Sequence, residues 1–405
     1  MILLVIVSSI NQSINKLFFL DGVYDFTQLN SETQQYGVFR EENDQDLTPL
    51  RLNKNFPHLC QSLDPDDLSG YTQQDVDRVN QVLLSIFSQE PTKQTFLEHL
   101  ARGIAGCYLD KIWSIICGAR NSGKGVITDM LIASFGEYVG LFDYNNLLYK
   151  KGLGSDEARI KSWLLPMRWC RLIFGNEQNP SVDGEDNNAK MNGVILKSLA
   201  SGGDAQIARG LYKEPISFAF GGRPFICVNE IPKVVPSDTC ESMVLFTLHN
   251  KFVDSLTDLT EAELTFMKLK NPEIKHEIKK PNFSNAFIHV ILHAYQNHAV
   301  ANCEVIMNQN IEHRLDQGDD YLFFKTNFEI TNQSCDSMTS TELNEFIVFK
   351  QHHISDKRIK QILVDQYGLK RNTNIIYKDK PHRGYIGIKM KPIIRTEFES
   401  NKTHP

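Results

Sequence analysis

Paired cysteines, long apolar runs and repeats are all missing from this chain. Its eight cysteines (Cys60, Cys107, Cys117, Cys170, Cys227, Cys240, Cys303, Cys335) form no CxxC pair and no metal-ligand spacing, and several sit inside apolar runs. That pattern argues against a structural zinc and for a reducing, intracellular compartment, where Cys serves as a small hydrophobe. The one strongly apolar run outside plausible core strands, Met1 to Val7, is too short to span a bilayer and lacks the basic flank and small-residue cleavage pattern of a secretory signal. It reads as an inner strand or as a sequence that begins inside a longer protein, and no membrane association is expected. No internal repeat or low-complexity tract occurs, which excludes solenoid and disordered classes.

What is present is an ordinary globular composition. With 405 residues and 41% hydrophobic content, the chain can bury at least one large core and has room for two or three domains. Net charge is −6, yet residues 351 to 395 carry eleven Lys and Arg against three Asp, a local +8. Polyanion-binding potential is therefore concentrated near the C-terminus.

Ile14 to Phe26 reads as two short strands around an Asp21-Gly22 turn. From Asp75 to Ala105, Val76, Val79, Val82, Leu83, Ile86 and Phe87, then Phe96, Leu97, Leu100 and Ile104, have helical spacing, interrupted at Pro91. The pattern predicts a helical collar ahead of the core. Ile112 to Cys117, Arg171 to Phe174 and Phe225 to Val228 are apolar strand candidates, each ending in polar residues where a parallel sheet presents its C-terminal edge. Strand, turn, helix and strand in this order predict an α/β nucleotide-binding domain.

The first strand runs into Gly118, Ala119, Arg120, Asn121, Ser122, Gly123, Lys124 and Gly125, which meet three of the four fixed positions of the pattern G-x-x-x-x-G-K-[ST]. A phosphate cradle needs glycines to turn backbone N–H groups inward, a lysine for the β and γ phosphates, and a helix N-terminus. All three are here. The fourth position, normally a hydroxyl on Mg²⁺, is Gly125, so the metal must be held through water, Ser122 or an acidic residue further along, or hydrolysis is weak. Glu177, 53 residues after Lys124 at the end of the second strand, is the candidate to hold Mg²⁺ through water or to orient the attacking water. Asn229, ending the third strand before Pro232, can hydrogen-bond a γ-phosphate or lytic water, although a plain strand-end turn residue would look the same.

Between the last two strands, Lys197, Asp204, Arg209 and Lys213 stand in a K-x-L-x-x-G-G-D-x-x-x-A-R-x-x-Y-K segment. The order of loop, strand-end Glu, this segment and a strand ending N-x-x-P resembles motifs A, B, B′ and C of superfamily 3 helicases, and most of all the poxvirus-type primase-helicase branch of large DNA viruses. The likeness covers roughly residues 14 to 255. It implies a P-loop, AAA+-like ATPase core using ATP and Mg²⁺, with Lys124 on the phosphates, Glu177 as the motif B acid, Asn229 as the motif C sensor, and Lys197, Asp204 and Arg209 in motif B′. It further implies a homo-hexamer acting on single-stranded DNA in viral DNA replication, with a primase or polymerase as partner; no primase segment is recognised ahead of residue 14. Lys213 and Arg223 flank Glu214 to Gly222, where the family places a hairpin that touches the strand. Phe218 and Phe220 in that stretch either stack on bases or pack in the core. The family's arginine finger has no counterpart between Ser237 and Asn250, leaving Lys233, Lys251 or Arg223 as substitutes.

Downstream, Ser355 is placed to cap a helix with Ile359, Ile362 and Leu363 on one side and Lys357, Arg358 and Lys360 on the other, ended by Gly368. A strand pair, Ile375 to Lys378 with Tyr385 to Met390, would then carry Lys378, Lys380 and Arg383, giving a winged-helix reading in which Lys357, Arg358, Lys380 and Arg383 grip phosphates. The expected organisation is residues 1–105 (hairpin and collar), 106–255 (ATPase core), 256–335 (helical lid and linker) and 336–405 (basic winged-helix-like domain). A nucleotide- and DNA-binding scaffold with little turnover is the alternative that Gly125 and the missing finger motivate.

Overall fold

The computed structural model describes residues 14–148, 157–176, 190–232, 234–257, 259, 261–298, 319–331, 333–350, 354, 359–377 and 380–402. The chain divides into two units, residues 1–310 and 311–405.

In the first unit, the hairpin expected around Asp21-Gly22 is present. Strand β1 (Lys16–Phe18) pairs antiparallel with β2 (Val23–Leu29), which pairs in turn with β3 (Tyr36–Arg40). Helix α1 (Gln73–Phe87) starts at a capping box in which Thr72 and Asp75 satisfy each other's backbone N–H groups. Helix α2 (Glu90–Ile104) carries Pro91 in its first turn, where a missing N–H costs no helical hydrogen bond.

At the centre are β4 (Trp113–Gly118), helix α3 (Lys124–Phe135), β5 (Val139–Asp143), β6 (Leu172–Asn176), helix α4 (Gly193–Leu199), the hairpin strands β7 (Ala205–Ala208) and β8 (Ile216–Ala219), β9 (Arg223–Val228) and β10 (Met243–Leu248). Five of these form one parallel sheet in the order β10-β4-β9-β6-β5. Parallel strands need covered faces, and side-chain alternation shows how each strand feeds both. Phe174, Phe225, Cys227, Val244 and Phe246 point into a core shared with α1, α2, α3 and helix α5 (Pro281–His298). Ile173, Ile226, Val228, Met243 and Leu245 point into a second core with Trp113 and residues of α4. The result is a five-stranded parallel sheet flanked by helices. Because β4 lies between β10 and β9, the chain leaving it enters the crevice where a sheet of this type receives ligands.

Beyond β10, two short strands, β11 (Lys251–Val253) and β12 (Met267–Leu269), pair in parallel.

The second unit gathers Phe324, Phe328, Leu343, Phe346, Ile359, Ile362, Leu363, Tyr385 and Phe398 into its own core. Its strands are β13 (Phe328–Ile330), β14 (Ser337–Thr339), β15 (Lys370–Tyr377), β16 (Lys380–Ile386) and β17 (Ile388–Met390), with helix α6 (Ser340–Phe349) capped by Thr339. The basic strand pair differs in register from expectation. Gly387, at φ 88°, ends β16, so Ile388–Met390 pairs with β13 while Lys370–Tyr377 pairs with Lys380–Ile386. Ile359, Ile362 and Leu363 are buried as expected, and Gly368 is left-handed at φ 67°.

Candidate nucleotide site

The loop from Gly118 to Lys124 is built as a cradle. Asn121 (φ 66°) and Gly123 (φ 100°) are left-handed, the kind of backbone from which an anion-binding turn is made, the Ser122 N–H donates to the Ala119 carbonyl at 3.2 Å, and α3 begins at Lys124. Two glycines are demanded by space as well. A Cβ on Gly118 would lie 2.7 Å from Ser122 Oγ, and one on Gly123 would lie 2.8 Å from Ile86 of α1. Gly125 is different, because a Cβ there meets nothing within 4 Å. The missing hydroxyl at this position is therefore not a steric requirement of the fold.

The Lys124 ammonium is folded over the loop. It donates to the Gly118 carbonyl, to the Ala119 carbonyl at 3.1 Å, to Ser122 Oγ at 3.3 Å and to Asn229 Oδ1 at 3.2 Å. Cys117 Sγ in turn lies 3.6 Å from the Asn229 carbonyl. This junction follows from sheet register: Val228 is opposite Cys117, and Cys227 is opposite Asn176, the last described residue of β6. Three strand ends thus reach one edge, and the loop lysine and strand-end asparagine meet there although 105 residues separate them. Glu177 lies outside the described residues, as do Lys233, Lys357, Arg358 and Lys378. Ala119, Arg120 and Asn121 are exposed on the loop, whereas Ser122 is buried.

Arg223 requires correction. Expected to flank a strand-contacting hairpin, and named as a possible finger substitute, it is buried at the start of β9. There it pairs with the Asp110 carboxylate and donates to the carbonyls of His99 and Cys107, each at 3.1 Å. Arg102 of α2 grips the same Asp110 at 2.8 and 2.5 Å. Burial pushes the Asp110 carboxyl up, but hydrogen bonding from Arg102 and the charges of Arg223 and Arg102 outweigh this and hold it at about 2. The cluster locks α2 to the sheet, and neither Arg is available to nucleic acid or to a neighbouring subunit.

The hairpin itself sits earlier in sequence than the expected Glu214–Gly222. Strands β7 and β8 pair with Ala205 opposite Ala219 and Ala208 opposite Ile216. Its tip carries Leu211, 74% exposed, and Tyr212, 98% exposed with φ 57°, followed by exposed Lys213. Phe218 and Phe220 are buried in the second core, which decides between their two readings in favour of packing. The motif spacing does not single out Tyr212; its signal in the sequence is an aromatic two residues after Gly210, between two short runs. Among the remaining motif residues, Lys197 pairs with Asp238 at 2.5 Å, Asp204 is exposed and Arg209 is half-buried. In the second unit Arg383 is exposed on β16, and Lys380 begins that strand.

The chain is 26% identical over 373 residues to "Putative helicase V13" of Sputnik virophage, a match covering 88% of this chain and 43% of that protein. It is 22% identical over 307 residues to "Putative helicase L207/L206" of Acanthamoeba polyphaga mimivirus, covering 73% and 28% respectively. These relatives are viral helicases by name. The chain spans less than half the length of either helicase relative. No family model matches. Two apo structures of the NrS-1 C terminal region align over 94% of this chain and 99% of theirs, at 12% identity and TM-scores of 0.42 and 0.40. No described helix is long and apolar enough to cross a membrane, and no group of three or more His, Cys, Asp or Glu that could hold a metal ion occurs among the described residues.

Proposed function

We propose that this chain is the motor part of a superfamily 3 helicase, hydrolysing ATP with Mg²⁺ to move along single-stranded DNA during viral replication. The observation that carries the reading is the junction of Lys124 with Asn229 at the C-terminal edge of a parallel sheet, beside a loop that is left-handed at Asn121 and Gly123 and leads into a helix. The triphosphate would lie over the loop around Ser122 to Gly125, with Lys124 leaving its carbonyl partners for the β and γ phosphates. Glu177 would orient the attacking water and support the Mg²⁺ shell, and Asn229 would contact the γ-phosphate. Phosphoryl transfer needs little covalent help from protein, so positioning and charge stabilisation are the whole task.

The Leu211–Tyr212–Lys213 tip takes the strand-contacting role expected of Glu214–Gly222. An aromatic face held fully in water beside a cation suits base stacking and phosphate contact together. The N-terminal helices form the collar of a homo-hexamer, and the second unit is a winged-helix-like domain whose Lys357, Arg358, Lys380 and Arg383 hold DNA phosphates. A primase or polymerase acts beside it. The helicase names of the two viral relatives support the motor role.

A low-turnover scaffold is the second reading, favoured by Gly125 and by the removal of Arg223 as a finger. Strand displacement on a forked DNA separates the two. The motor reading expects unwinding that needs ATP and Mg²⁺ and is lost in Lys124→Ala; DNA and nucleotide binding without any unwinding would favour the scaffold.

A further inference from the structure

The second unit encloses a cavity of about 370 Å³ between helix α6, the helical turn at Ile359 and Lys360, and the sheet of β15 and β16. Leu343 and Asn344 follow Ser340 by three and four residues, so α6 presents a single face to it. Arg371 and Tyr385 are partners in register on β15 and β16 and lie side by side on the sheet. Lys360 leads into a segment, Gln361–Gln366, wound as a π-helix, and Tyr367 N–H donates to the Ile362 carbonyl at 3.0 Å. Such winding is rare and recurs at functional sites.

Charge sets this cavity apart. Lys360 and Arg371 both line it, and no carboxylate among the described residues does. Elsewhere in the unit cations are paired: Lys389 lies 3.7 Å from Glu329 and 3.6 Å from Asp336, and Arg395 lies 2.9 Å from Glu399. Neither the Lys360 ammonium nor the Arg371 guanidinium has an ion pair or hydrogen bond to another described residue. Two positive groups on one cavity repel each other unless an anion joins them. Ser340 and Asn344 bring a hydroxyl and an amide to the same space as uncharged donors. The donors are side chains, since Thr339 Oγ1 already caps α6 by accepting from Glu342 N–H at 3.1 Å.

We infer that this cavity binds a phosphate monoester, the terminal phosphate of a nucleic-acid strand or of a free mononucleotide. A monoester carries close to two negative charges near neutral pH and three terminal oxygens, which suit two cations and two uncharged donors around one cavity. An internal phosphodiester carries one charge and must leave in two directions, whereas Leu343, Ile359 and Tyr385, all buried, close the inner side here. The volume, at the lower end of small-molecule sites, holds a phosphate and the sugar that bears it. Lys380 and Arg383, given above to DNA phosphates, do not line the cavity, and the inference does not rest on the nucleotide loop.

The test uses the full chain and one short single-stranded oligonucleotide, phosphorylated at its 5′ end, at its 3′ end or at neither, with binding read by fluorescence anisotropy from a dye at the other end. The wild type should bind one phosphorylated form about tenfold more tightly than the unphosphorylated one, the scale of a charge-assisted hydrogen bond. Lys360→Gln and Arg371→Gln should each remove that gain while the unphosphorylated oligonucleotide binds within about twofold of wild type. Both side chains are exposed, so thermal melts should match the wild type. Arg383→Gln is the control for general charge and should weaken every form alike. AMP, titrated by calorimetry into the same proteins, distinguishes the source: AMP binding lost in both variants, with no gain from either terminal phosphate, assigns the site to a free mononucleotide. A gain that both variants retain, or that Arg383→Gln removes as fully as they do, overturns the site. So does the absence of any gain together with AMP that is unbound, or bound equally by wild type and both variants.

Discussion

The Lys124 ammonium donates to the side-chain oxygen of Asn229 across 3.2 Å, joining the end of β9 to the phosphate loop that follows β4. Asn229 is thus in contact with the lysine proposed to neutralise the γ-phosphate, and its removal should act on chemistry more than on binding. Asn229→Ala is expected to bind nucleotide within a few-fold of the wild type while kcat falls by about 10²-fold or more, the loss typical of a positioned polar group at a developing charge. Equilibrium binding set beside steady-state hydrolysis checks this, and a kcat within twofold of wild type would speak against the role.

Gly123 and Gly125 should respond in opposite ways. Gly123→Ala forces a Cβ against Ile86 in a left-handed backbone and should abolish nucleotide binding. Gly125→Ser enters open space and restores the hydroxyl that usually ligates Mg²⁺. Its hydrolysis should equal or exceed wild type, with half-saturation at lower Mg²⁺. A Mg²⁺ titration of both variants distinguishes a loop shaped for phosphate from an ordinary strand-to-helix turn.

Tyr212 is the residue whose removal should touch nucleic acid alone. Being almost fully exposed, it contributes little to folding, so Tyr212→Ala should melt with the wild type. Affinity for single-stranded DNA should fall by about 1–3 kcal/mol, the usual cost of losing one stacked base. Phe218→Ala should do the reverse, lowering the melting temperature because it empties part of the second core. Fluorescence anisotropy with a labelled oligonucleotide, alongside thermal melts, reads both effects.

The Arg102–Asp110–Arg223 cluster makes a prediction about stability and pH. Asp110→Asn leaves two guanidinium groups without their carboxylate, a change that costs about 3–5 kcal/mol in buried pairs. Because the folded Asp110 is held at about 2, below the ordinary carboxylate value, its contribution is fully present above about pH 4 and is lost as the pH falls through 2. Denaturant melts of wild type and variant should therefore converge at the acid end of that window. Parallel curves from pH 7 down to 2 would remove Asp110 from the account.

Much of the core was legible because buried parallel strands leave a plain trace, an apolar run ending in a polar residue. Leu172–Asn176 carries it, as do Trp113–Gly118 and Arg223–Val228 with the polar residues that follow them, and their shared direction puts Lys124 and Asn229 on one edge. The hairpin was mislocated because its first strand, Ala205–Ala208, is short and poor in β-forming residues, so only the pairing with Ile216–Ala219 defines it. Arg223 misled for a related reason. A cation at the head of a strand reads as exposed unless its partner is known, and Asp110 lies 113 residues away. The tie between Phe252 and the Asn121 carbonyl left no trace at all, since it depends on a parallel pairing of two three-residue strands.

The most direct measurement is steady-state ATP hydrolysis by the purified chain, with and without single-stranded DNA, beside Lys124→Ala. The account predicts hydrolysis that the DNA accelerates and that the substitution abolishes. Equal rates for the two proteins, with or without DNA, would contradict it.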